Sequence, residues 1–276
     1  MKKFLVPVDL SHSGDNAVRI AERLSQGFDT EIHILNIVNS PSDAVLAFNG
    51  EIIEDEENDF AELKQQAVEN KAALEERYGN VKNKSIEVLI GDINNIIISR
   101  LEKEEYDLLM LGMSGHHTSN FWTSSHTEYL SKVSTTPVLT LKCDRSDMSI
   151  DKIVFVSDFL TDEEINLSVL KKLSERYNSQ IILLKVVLED QQRTDEKIKE
   201  AAESFARKNE LQNYDVQIYK ANNVEDGIAM FCQENHIDLI AIGTHQRGGF
   251  STLFRKSISQ DIVRNLYHPI ITIPMH

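Results

Sequence analysis

Positive charge is scarce in this sequence: 29 Lys and Arg stand against 44 Asp and Glu, a formal net charge of −15 at pH 7. Nucleic-acid binding draws most of its affinity from cations that neutralise phosphates, so no DNA or RNA partner is expected. The same charge repels an anionic bilayer, and no apolar run approaches the ~20 residues that span one, so no membrane role is expected either. Cysteine is nearly missing. Cys143 and Cys232 stand alone, which excludes a disulfide framework and a cysteine-built four-ligand zinc site and leaves two ordinary thiols. Glycine and proline are sparse too, eleven and five, while 41% of residues are apolar and 26% charged; this is the composition of a globular chain, not a disordered one. The apolar run Phe4 to Val8 is cut off by Asp9, too early for a secretory signal, so a cytoplasmic location is expected. A Walker loop, a Gly-x-Gly-x-x-Gly opening, a kinase His-Arg-Asp triplet and a Gly-x-Ser-x-Gly elbow are all absent, which disfavours the common phosphoryl-transfer and esterase classes.

What is present is a repeat. An apolar run ending in Asp9, a polar turn Leu10 to Ser13, and a helical stripe of Ala17, Ile20, Ala21 and Leu24 open the chain. The same order returns as Ile153 to Val156, Ser157, Asp158, a polar turn Thr161 to Glu164, then Val169, Leu170 and Leu173. Asp9 to Asp158 is 149 residues, as are Ile20 to Val169 and Leu24 to Leu173; Ile32–Leu35 answers Ile181–Leu184 at the same spacing. Further on, Asp107–Gly112 answers Asp238–Gly243 at 131, so the first half carries 18 extra residues, placed around Pro41 to Asp59. The closing runs Pro137–Leu141 and Pro269–Ile273 lie 132 apart.

Each half thus reads strand, helix, strand, long helix, strand, helix, strand, glycine loop, helix, strand. Continuous apolar strands alternating with helices predict a doubly wound parallel sheet of five strands in each half, an α/β, Rossmann-like class. The long helices are expected near Asp59–Arg77 and Asp195–Lys208, with their charge runs facing solvent. Two domains follow, 1–146 and 147–276, with the seam in the polar stretch Cys143 to Met148. In such a sheet ligands sit beyond the carboxyl ends of the strands, where strand order reverses. There each half gathers a strand-end acid, Asp9 or Asp158, a glycine loop, and the start of a helix whose free N–H groups suit a phosphate. Each acid has a second reading, as a side-chain cap of its own following turn.

Val6-Pro-Val-Asp9, the strand ending Leu111-Gly112 and a final helix before Pro137-Val resemble a universal stress protein domain. Phe155-Val-Ser-Asp-Phe159 and Ile242-Gly-Thr-His245 with Ser257-Ile-Ser259 resemble its second copy in a tandem member. The resemblance implies the adenine-nucleotide alpha-hydrolase-like fold and, in ATP-binding members, a motif of Gly, two residues, Gly, nine residues, Gly, then Ser or Thr. It implies a first cleft of Val8, Asp9, Gly112, Gly115, Ser124 and Ser125 and a second of Ser157, Asp158, Gly243, Ser257 and Ser259, with adenine and ribose against the acid and phosphates in the glycine loop. The match is incomplete. Ser124 or Ser125 stands at the third glycine of the first half, depending on the end counted from, while Gln246 and Lys256 replace the second and third glycines of the second. Lys256 either contacts phosphate directly or points into solvent.

The resemblance implies a non-catalytic stress-response or signalling protein that binds ATP or another adenine nucleotide, with Mg accompanying it. It also implies an intramolecular pair of the two domains, with Val138–Leu141 and Ile270–Ile273 at the seam, and a homodimer of full chains. The alternatives are a slow Mg-dependent ATP hydrolase, with Asp9 or a loop His positioning water, and a module for another small ligand. His12, His116, His117 and His126 either converge on a zinc or copper ion or are ordinary loop polar residues, and Phe121 and Trp122 either cover a ligand or pack against the other domain.

Overall fold

A computed structural model describes residues 1–40, 60–113, 124–142, 149–159, 165–188, 195–245 and 268–275. The 18-residue excess, the glycine loops after Met113 and His245, the seam 143–148 and the turn 161–164 lie outside these residues. The first repeat runs β1 (Lys3–Val8), α1 (His12–Ser25), β2 (Glu31–Asn39), α2 (Phe60–Arg77), β3 (Lys84–Gly91), α3 (Ile93–Lys103), β4 (Leu108–Gly112), α4 (Ser124–Val133) and β5 (Val138–Leu141). The second runs β6 (Lys152–Val156), α5 (Ser168–Tyr177), β7 (Gln180–Leu188), α6 (Asp195–Lys208), β8 (Tyr214–Ala221), α7 (Val224–Asn235), β9 (Leu239–His245) and β10 (Ile270–Met275). Strand order is β3-β2-β1-β4-β5 in the first and β10-β9-β6-β7-β8 in the second. Neighbours within each repeat, such as β1·β2, β1·β4, β6·β7 and β6·β9, pair in parallel.

The chain forms two compact units, 1–136 with 141–146, and 137–140 with 147–276. Most of β5 therefore belongs to the second unit. There it runs antiparallel to β10, Ile270 opposite Thr140, Ile271 opposite Leu139 and Thr272 opposite Val138, which is the pairing of closing strands that the resemblance implied.

The strands are near-continuous apolar runs because helices cover them: Phe4, Leu5, Val6 and Val8 of β1 are fully buried, each large side chain contributing about 1.5–3 kcal/mol. Ala17, Ile20, Ala21 and Leu24 of α1, and Val169, Leu170 and Leu173 of α5, are buried as the periodicity predicts. Much of α2 faces solvent, with Leu74 buried. Two devices recur at the spacings read from the sequence. Asp107 Oδ2 accepts from the amides of Lys2 and Lys3 at 2.5 and 3.1 Å, and Asp238 Oδ2 accepts from those of Asp151 and Lys152 at 2.8 and 3.0 Å. The residue after each strand-end acid is left-handed, Leu10 at φ 59° and Phe159 at φ 55°, a conformation that costs a bulky side chain energy and needs surrounding contacts to persist.

Elsewhere the repeats diverge. In the first, buried His33 lies between Tyr106 (Nδ1 to the hydroxyl, 2.7 Å) and Glu87 (Nε2 to Oε2, 3.2 Å). Arg100 pairs with Glu87 and Glu104, and Lys3 with Glu104 at 2.7 Å. In the second, the positions that answer His33, Tyr106 and Arg100 are Ile182, Ile237 and Phe231, all in an apolar core cluster. Cys232 is buried in that cluster, where desolvation pushes its thiol up to about 12, an inert structural thiol.

Candidate functional site

Strand order reverses at β1: the chain builds outward through β2 and β3, then returns to place β4 on β1's other side. The crevice at the carboxyl ends of β1 and β4 is therefore the expected binding position, and it lies between Val8-Asp9 and Gly112. Beyond Asp9 the chain turns through Leu10 into α1, whose N-cap Ser11 accepts from the Gly14 amide at 3.4 Å. Asp9 Oδ1 accepts from the Ser11 amide at 3.1 Å and from the Ser11 hydroxyl, which in turn lies 2.7 Å from the Ser13 hydroxyl. The capping reading of Asp9 holds for this oxygen. Its other oxygen, Oδ2, is buried and has no hydrogen-bond partner among the described residues. One carboxylate thus caps a turn and keeps a buried acceptor in reserve.

Gly112 has a structural reason of its own. A Cβ there would fall onto the Ser13 carbonyl oxygen, with the Ser13 carbonyl carbon only 2.6 Å away, so α1 leaves no room for a side chain at the end of β4. Gly14 is tight as well, its Cβ position 3.2 Å from Val8 Cβ. Ser124 and Ser125 lie in α4. Gly115 lies outside the described residues.

The α2 helix reaches this turn from two sides. Asn70 Nδ2 donates to Asn36 Oδ1 at 2.8 Å, and Asn36 Nδ2 donates to the Val8 carbonyl at 2.8 Å. Arg77 Nη1 donates to the Leu10 carbonyl at 3.0 Å, while its Nε and Nη2 hold the two oxygens of Asp15 at 2.6 and 2.5 Å. Tyr78 donates to Asp15 Oδ1 at 2.8 Å. Burial raises the Asp15 carboxyl, and hydrogen bonds from Arg77 and Tyr78 outweigh that and hold it below its ordinary value. Arg77 is pushed up chiefly by the Asp15 hydrogen bond, whereas burial is the main cause that raises Tyr78. Neither Asn70 and Arg77 of α2 nor Tyr78 just beyond it was marked by the sequence motifs. A pocket of about 320 Å³ on this side is lined by Arg19 and Arg77 against Asp15 and Glu22, a balance that gives it no preference for an anion.

The second repeat builds its turn differently. Ser157 Oγ accepts from the Phe159 amide at 3.1 Å, and Asp158 is exposed. Helix α5 begins at Ser168 with no side-chain cap bond, seven residues later than the His12 start of α1 would place it at the repeat spacing of 149. Phe159 is held by aromatic packing, its ring 5.4 Å from that of Phe205 on α6, which stacks on Phe155 at 5.3 Å. Gly243, half-buried in β9, pairs with Ile273; Ser257, Ser259, Gln246 and Lys256 lie outside the described residues.

His12 is exposed, and His126 Nδ1 lies 3.0 Å from Asn94 Oδ1 on α3; His116 and His117, like Phe121 and Trp122, are outside the described residues. Among the described residues no three His, Cys, Asp or Glu side chains are grouped to hold a metal, and no helix is long and apolar enough to cross a membrane.

Comparison with known proteins agrees with this architecture twice over. The model of the universal stress protein family matches residues 1–142 and again 149–274. Among solved structures, a universal stress protein from Archaeoglobus fulgidus is 18% identical with a TM-score of 0.70, covering 98% of this chain and 97% of its own. A putative universal stress protein from Pseudomonas aeruginosa is 14% identical with a TM-score of 0.60, covering 100% and 94%. The cytoplasmic domain of a prokaryotic cation chloride cotransporter is 11% identical with a TM-score of 0.52, covering 99% and 95%. At such identities the likeness speaks for the fold alone. Among curated proteins none matches the chain.

Proposed function

The chain belongs to the universal stress protein family, and from that premise we propose that it is a cytoplasmic, non-catalytic binding protein of the stress response whose first repeat holds an adenine nucleotide. ATP with its Mg is the form we favour. The observation that carries this reading is the buried Oδ2 of Asp9 at the strand-order reversal, which has no partner among the described residues. A buried acceptor left unmade costs about 1–3 kcal/mol. An adenine amino group or a ribose hydroxyl is a donor of the kind that would recover it. Across the crevice, the N-terminal end of α4, the helix that carries Ser124 and Ser125, would offer amides and a positive dipole end suited to phosphates. In this arrangement Asp9 orients the nucleoside, the first turn of α4 takes the phosphates, and the metal would offset their charge.

Binding is favoured over hydrolysis because the hydroxyl beside Asp9 is engaged in holding the turn: Ser11 bonds Asp9 and Ser13. The second repeat is the weaker candidate: its acid is exposed and its turn is capped by Ser157 instead. The signal would be a change in surface on occupancy, read by a protein partner.

Calorimetric titration of Mg-ATP into the wild type and the variants Asp9→Ala and Asp158→Ala tests this. We expect saturable binding that D9A weakens by at least about tenfold, the equivalent of ~1.4 kcal/mol, and that D158A leaves in place. Absence of heat with the wild type, or full binding by D9A, would overturn the reading, and phosphate release abolished in D9A would replace it with a hydrolase.

A further inference from the structure

The two repeats hold the same left-handed turn by unlike means, and the difference bears on affinity. In the first repeat, both carbonyls flanking Asp9 are gripped from α2: that of Val8 through Asn36 by Asn70, that of Leu10 directly by Arg77. Arg77 also fixes Asp15 in the first turn of α1 by a two-pronged ion pair. The planar guanidinium therefore ties three pieces together, the end of α2, the Asp9 turn and the start of α1. In the second repeat the matching helix α6 offers Phe205 to Phe159, a contact with no direction toward a carbonyl. There the acid is exposed and the following helix starts late.

We infer that Arg77 is the positioning residue of the first-repeat nucleotide site, holding the Asp9 carboxylate in its binding geometry so that the affinity of that cleft is set from α2. The inference rests on the nucleotide reading of the cleft and deepens it by naming where the site is regulated. Left-handed backbone at Leu10 is unfavourable unless neighbours over-determine it. Without Arg77 the turn would sample other conformers, and apparent affinity falls in proportion to the competent fraction. Arg77 does not touch the nucleotide itself. Partners or modifications that shift α2 would thereby tune occupancy.

The test uses the full chain carrying Arg77→Met, Arg77→Lys, Asp15→Asn or Asp9→Ala, with Mg-ATP titration, thermal unfolding and amide hydrogen exchange measured on each. R77M is expected to raise the dissociation constant about tenfold, as when the competent fraction drops to roughly one tenth, with a small change in unfolding midpoint because Arg77 is exposed. Exchange should quicken at the Ser11 and Gly14 amides but not at Asn95, whose amide is bonded to Asp92 in the equivalent cap of α3. R77K keeps the charge without the fork, so it should restore the midpoint and leave affinity reduced, and D15N should act in the same direction as R77M. Wild-type affinity and unchanged Ser11 exchange in R77M, with D9A unable to bind, would overturn the role of Arg77 while leaving the site intact. A wild type that binds no nucleotide would overturn the site reading and this inference together.

Discussion

Gly112 separates two explanations that a motif alone cannot. The family resemblance assigns it to the glycine loop beside the phosphates, yet the nearest obstacle to a side chain there is the Ser13 carbonyl of the same repeat. Gly112→Ala is therefore expected to destabilise the folded chain by about 3 kcal/mol, the upper end of overpacking costs, with or without nucleotide, read as a lower urea midpoint. A variant of normal stability would mean that the helix start yields easily. Asp9 was legible in the sequence because strand ends and acids are local signals. Its Oδ2 was not, since whether an oxygen is buried and unpartnered depends on residues brought from elsewhere. Arg77 and Asp15 were illegible for the same reason: 62 residues separate them, and a charge on a surface helix reads as solvated until its partner is known.

At the level of elements, the helix and strand assignments that rest on sustained periodicity agree with the structure. The expected Asp195–Lys208 helix is α6, and the expected Asp59–Arg77 helix is α2, described from Phe60 to Arg77. The late start of α5 was not foreseen, because the apolar stripe Val169, Leu170 and Leu173 marks a buried face and says nothing about where the first turn begins. Phe205 compensates on the α6 side. Truncating it, Phe205→Ala, should cost about 2–3 kcal/mol, below the full core value because the ring is half-buried, and should be visible in the urea midpoint of the second repeat. The charged network of β3 and α3 makes a pH prediction. Burial raises Glu87 and Glu104, but bonds from His33 and the Arg100 charge on Glu87, and from Lys3 on Glu104, hold both carboxyls below their ordinary value of 4.5. A depressed carboxyl contributes stability that is complete above its unfolded pKa and is lost as the pH falls through its folded one. The first repeat should thus keep its stability from pH 7 to about 5 and lose it below about 4.5, and Glu104→Gln should flatten that loss in urea unfolding measured across pH.

For the whole molecule, the repeat was the most legible feature. Its spacing of 149 residues is carried by the paired left-handed residues Leu10 and Phe159, and its spacing of 131 by the paired anchors Asp107 and Asp238. These are backbone devices that both copies need in order to fold. The copies part where only one of them has a polar purpose: His33, Arg77 and Asn70 in the first stand against an apolar core and an aromatic lock in the second. That asymmetry is the basis for assigning the nucleotide to one repeat. The most direct measurement is the nucleotide released on denaturing protein purified without added nucleotide, quantified by mass spectrometry for the wild type and for Asp9→Ala. Roughly one adenine nucleotide per chain is expected for a tightly held ligand, and none in D9A. An equal yield from both proteins, or a yield that disappears with Asp158→Ala and not with D9A, would contradict the assignment of the site to the first repeat.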